Sequence, residues 1–87
     1  KVQDDAHTHA RAANAILKAP DGDLREASEH AKRAIGLDPK DIEHHVTLVE
    51  IYLKAGLTTS ARRACEAATQ LDPKHAGLQA LMKRAGK

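Results

Sequence analysis

The chain has no tryptophan and no phenylalanine, and Tyr52 is its single tyrosine. A core without aromatic bulk must be filled by small and aliphatic side chains, so its backbones must approach closely. Strand-forming β-branched and aromatic residues are scarce, while alanine and leucine, both strong helix formers, supply most of the apolar content. These shortages argue against a sheet and point to an all-α chain. A single cysteine, Cys65, excludes an internal disulfide and fits a reducing, cytoplasmic setting. No apolar run reaches the ~18 residues that suggest a membrane span, so no membrane contact is expected. The opening KVQDDAHTHARAANA also lacks the apolar segment of a signal peptide. Fourteen basic residues against 12 acidic ones, for a net charge of +2, are too even to predict a nucleic-acid partner. The chain begins at Lys1, which reads as a piece of a larger protein or a processed start.

What is present is a repeat. Ala34-Ile35-Gly36-Leu37-Asp38-Pro39-Lys40 returns as Ala68-Thr69-Gln70-Leu71-Asp72-Pro73-Lys74. Pro39 and Pro73 lie 34 residues apart (73 − 39), and Ala27/Ala61, Gly22/Gly56 and Ala31/Cys65 share that offset. One unit recurring at such a period is the mark of a stacked helical array.

Each period reads as two helices. From Asp41 to Ala55, Ile42, Val46, Leu48, Val49, Tyr52 and Leu53 mostly recur three or four residues apart. Asp41 can cap the start, and Gly56 can end the helix in the left-handed conformation. Thr58 or Thr59 can cap a second helix running to Leu71, with Ala61, Ala64, Cys65, Ala68 and Leu71 as its inward stripe. Asp72-Pro73 stops it, because the residue before proline avoids helical geometry. In the first period, a helix from Asp4 to Lys18 and a turn at Ala19-Pro20-Asp21-Gly22 precede a helix from Asp23 to Leu37. There Asp23 and Glu26 are spaced as in a capping box. A fifth helix, about 74–85, carries Leu78, Leu81, Met82 and Ala85, and its spacing does not continue the repeat.

The second period reads His45-x₂-Leu48-Val49-x₂-Tyr52, then Ala61-x₃-Cys65, then Pro73. This resembles the tetratricopeptide repeat (TPR) pattern W-x₂-L-G-x₂-Y, A-x₃-F, P. Leucine, tyrosine, alanine and proline match, while His45, Val49 and Cys65 replace tryptophan, glycine and phenylalanine. The first period fits more loosely as His9-x₂-Ala12-Ala13-x₂-Ile16, Ala27-x₃-Ala31, Pro39, with two extra residues in the turn at Pro20. The resemblance implies two stacked antiparallel helical hairpins, residues 4–39 and 40–73, in one domain. A capping helix over 74–85 would complete a right-handed α-solenoid.

Neither metal nor catalytic chemistry is legible. His7 and His9 lie two apart, His44 and His45 are adjacent, and no histidine pair has the i, i+4 spacing of a helical zinc clip. The histidines therefore read as solvent-exposed or helix-end residues, with His30 able to pair with Glu26. Cys65, on an inward stripe, reads as a small hydrophobe rather than a nucleophile. No phosphate loop or nucleophile elbow occurs. The basic tail Lys83-Arg84-Ala85-Gly86-Lys87 reads as solvated, because no aromatic platform for bases accompanies it. No cofactor, metal or catalytic residue is expected, and no enzyme activity.

The resemblance implies a scaffold or adaptor module that holds a partner peptide or helix on its concave face. The residues expected there are His7, Ala10, Asn14, Glu43, Val46, Thr47, Glu50 and Lys54. Some TPR proteins grip a C-terminal carboxylate with a lysine and an asparagine in one repeat and an asparagine in the next. The matching places are Ala10, Asn14 and Thr47, and only Asn14 agrees. Glu43 and Glu50 suggest instead a basic or amphipathic partner. The alternative is self-association, as a homodimer, because two repeats are fewer than the three that usually make a stable array. A metal or nucleic-acid binder is the remaining, weaker reading.

Overall fold

The computed structural model describes residues 6–19 and 21–85. Among these, five helices follow in order: α1 (Ala6–Lys18), α2 (Leu24–Leu37), α3 (Ile42–Lys54), α4 (Thr58–Leu71) and α5 (Ala76–Ala85). No strand occurs among the described residues. Asp4 and Pro20, placed by the sequence in a helix and a turn, lie outside them.

The helix boundaries follow local chemistry. Asp23 caps α2, its Oδ1 accepting from the backbone N–H groups of Arg25 and Glu26 at 3.0 and 3.3 Å. Asp41 caps α3 in the same way through Glu43 N–H at 3.0 Å. Both aspartates satisfy donors that a helix start leaves open. α3 ends on Gly56 at φ 79°. Gly56 N–H donates to Leu53 and Leu57 N–H to Tyr52, the paired bonds of a Schellman ending. α4 departs from expectation. Its cap position is Leu57, which contributes no side-chain bond, and Thr58 is already helical.

Packing follows the repeat. α1 lies against α2 and α3 against α4, and α2 joins the two hairpins through α3. One core cluster gathers Ala13, Ala27, Ala31, Leu48 and Ile51; a second gathers Val49, Ala61, Cys65 and Leu81. Tyr52 and Ala64 pack against both. Ala13, Ala27, Ala61 and Ala68 are fully buried, so alanine lets the helices approach where the chain has no aromatic filler. Ile51, Leu78, Val49 and Cys65 are the largest fully buried side chains. Burying an aliphatic side chain of this size is worth about 1.5–3 kcal/mol.

Three sequence expectations need correction. Leu71, expected on the inward stripe, is the final residue of α4 and is 42% exposed, while Ala68 one turn earlier is fully buried. Ile51, left out of the stripe on α3, is buried because α2 closes over that side of the helix. α5 does continue the repeat. It starts at Ala76, 34 residues after the start of α3 (76 − 42), and packs on α3 and α4 as α3 packs on α1 and α2. It stands where the first helix of a further repeat would stand.

Candidate binding groove

α1 and α3, the first helices of the two hairpins, border a shallow groove of about 350 Å³. Ala10, Arg11 and Asn14 line it from α1, and Asp41, Glu43, His44 and Thr47 line it from the start of α3. Spacing explains the selection. Ala10/Asn14 and Glu43/Thr47 are i, i+4 pairs, and such pairs share a helix face. Asp41 joins them as the cap of α3.

The polar groups differ in how free they are. The Thr47 hydroxyl donates to the Glu43 carbonyl at 3.0 Å and so turns back on its own helix. Glu43 is 71% exposed at its side chain and lies 3.5 Å from His75 Nε2 at the start of α5. Asn14 and Arg11 are exposed. Ala10 is half-buried and leaves space above the groove floor.

Of the eight residues expected on this face, Ala10, Asn14, Glu43 and Thr47 meet in the groove. Glu50 is exposed on the same line of α3, seven residues after Glu43, outside the lining. Val46 is turned away and packs against the second core cluster. Lys54 is committed elsewhere. Its Nζ donates to the carbonyls of Leu17 and Ala19 at the end of α1, which are among the open acceptors of a helix terminus. The His7 side chain lies outside what the structure describes. Arg11, Asp41 and His44 were missed. Arg11 neighbours Ala10 in the chain, and Asp41 and His44 are three apart across a helix start, so their joint facing was the available signal.

Of the histidines expected to be solvent-exposed or at helix ends, His44 and His45 stand in the first turn of α3 and are buried. His44 is 6% and His45 9% exposed, because the first turn of α3 folds against the preceding Asp-Pro turn. His45 Nε2 lies 3.0 Å from the Pro39 carbonyl and donates to it, which satisfies a polar group that burial would otherwise penalise. His9 and His30 meet through their Nδ1 atoms at 3.0 Å, linking α1 to α2, and His30 Nε2 is 3.8 Å from Glu26. One of the two Nδ1 atoms donates and the other accepts, so at least one of these imidazoles is neutral in this geometry.

The sequence pattern of the tetratricopeptide repeat family matches residues 21–85. No curated protein matches the chain.

Proposed function

The chain belongs to the tetratricopeptide repeat family, and from that premise we propose that it binds a partner protein through the α1–α3 groove. Repeats of this family generally mediate protein–protein interaction and are typically not enzymes. The observation that carries the reading is the lining itself. Side chains from the first helices of both repeats converge on one open trough, with Asn14 and Arg11 exposed and the Glu43 side chain 71% exposed beside His75.

The charge pattern supports a basic or amphipathic segment as occupant. Glu43 and Glu50 lie seven residues apart, close to two helical turns, along one edge of α3. A lysine or arginine of the partner pairs with them, while an apolar side chain seats over Ala10. Asn14 offers both a donor and acceptors to a peptide backbone. Arg11 on the opposite wall rejects a uniformly basic partner, which favours mixed sequences.

Panning displayed random peptides against the chain tests this. The expected selection carries a basic residue beside an apolar one. The Glu43→Lys/Glu50→Lys double variant should lose those peptides mainly through slower association, more at low salt than at high. Stability should stay within about 0.5 kcal/mol, as at other surface sites. Selected peptides that bind the double variant as tightly as the parent at low salt would remove this groove as the site.

A further inference from the structure

Asp38, Asp41 and His44 come from the turn between α2 and α3 and from the first turn of α3. Each presents a ligand atom, and these atoms all lie within 4.8 Å of one another. The carboxylates are accessible, Asp38 exposed and Asp41 half-buried, while the imidazole behind them is only 6% exposed.

That imidazole is the telling group. His44 Nε2 lies 3.6 Å from Asp41 Oδ2, beyond hydrogen-bond distance. The two groups face each other as a pair, and among the described residues no buried side-chain nitrogen or oxygen lacks a partner. What points to a ligand is the clustering of the three donors, together with the repeat. Packing does not ask for a histidine here. One repeat later (44 + 34 = 78) the same place is Leu78, which is 2% exposed. The next turn keeps Asp72 at the place of Asp38 but has His75 at that of Asp41. The repeat thus demands the aspartate before proline; the Asp41–His44 pair belongs to this turn alone.

We propose that Asp38, Asp41 and His44 bind a divalent transition-metal ion of the zinc class. One imidazole with two carboxylates suits a borderline ion better than calcium or magnesium, which prefer all-oxygen shells. Zinc holds nitrogen and oxygen ligands at about 2.0–2.2 Å, which places neighbouring donors roughly 3–3.5 Å apart. The His44–Asp41 pair at 3.6 Å already fits. Asp38, exposed on its turn, closes the set by side-chain rotation. Asp41 Oδ1 stays on the backbone of α3 while Oδ2 faces the ion, so the helix cap also orients the ligand. Three protein ligands leave a position open, and two of them, Asp41 and His44, also line the groove.

Isothermal titration of the whole chain with zinc chloride tests the site. The parent should take up one ion. Asp38→Asn and Asp41→Asn should each weaken uptake tenfold or more; asparagine keeps the cap of α3 and the shape of the turn. His44→Leu, copied from Leu78, should fold and abolish uptake, with circular dichroism confirming the fold of each variant. His30→Gln should bind zinc as the parent does. Absence of saturable uptake by the parent would overturn the proposal. So would unchanged affinity in both Asp38→Asn and His44→Leu, or loss of binding in His30→Gln, which would move the ion to the His9–His30 pair.

Discussion

Cys65 has no exposed surface and sits one turn from Ala61 and from Ala68, also buried. Burial foremost, and then the charge of Glu66, push its thiol above the ordinary cysteine pKa. The folded state therefore holds the proton more tightly than the unfolded state does. The sign follows from linkage: the thiol's contribution is complete below the unfolded cysteine value and is lost as pH rises through the folded one. Two results are expected. A bulky maleimide should label Cys65 at neutral pH only when denaturant unfolds the chain. Raising the pH past the unfolded cysteine value should lower the parent's urea midpoint more than that of Cys65→Ala. Rapid native labelling would show that the site opens locally. The burial of Cys65 was legible, because the repeat pattern puts a large apolar residue at its place. The burial of His45 was legible by the same argument, since it occupies the tryptophan place. Read by residue type, it passed for a solvent-exposed or helix-end residue, since most polar residues are exposed. The Pro39 carbonyl that makes its burial tolerable lies six residues back and becomes visible only with the turn folded.

At the scale of helices and turns, the sequence was most informative where one residue type has one local use. Asp23, Asp41 and the glycine after α3 announced their boundaries because caps and left-handed endings are written in single residues. Thr58 and Thr59 misled, since a threonine beside a helix start is only a candidate cap, and Leu57 takes that position. Gly22 and Gly56 are equivalent in the repeat, yet the structure gives them different reasons. Gly56 has φ 79°, and a Cβ there would meet nothing within 4 Å. At Gly22 a Cβ would stand 2.2 Å from the Ile16 carbonyl oxygen, so the turn between α1 and α2 has no room for one. Gly56→Ala should therefore cost about 1–2 kcal/mol, the left-handed penalty for an L-residue. Gly22→Ala should cost more, because backbone must move. Urea denaturation of both variants checks the order; a Gly22→Ala midpoint equal to the parent's would mean that the turn relaxes freely.

Across the whole molecule, the 34-residue period located the helices, because an array in which each unit covers its neighbour repeats its apolar positions. The groove was only half legible. Its lining depends on how α1 and α3 are rotated about their axes, and a shift of one residue around a helix separates Val46, in the core, from Thr47, in the groove. The same architecture divides the core into two clusters joined by Tyr52 and Ala64, and that division has a thermodynamic consequence. In a stacked array, stability is approximately the sum of unit terms and contacts between neighbours. Leu81 of α5 belongs to the second cluster, with Val49, Ala61 and Cys65, and is 5% exposed. Leu81→Ala removes that contact and leaves a cavity, costing about 2–5 kcal/mol. The loss enters where α5 meets α3 and α4, while Ala13, Ala27 and Ala31 of the first cluster keep their partners. Native-state hydrogen exchange should accordingly show amide protection falling first in α4 and α5 and least in α1 and α2, since local openings need not reach the global free energy. An equal fall in all five helices would instead mean that Tyr52 and Ala64 weld the two clusters into one cooperative unit.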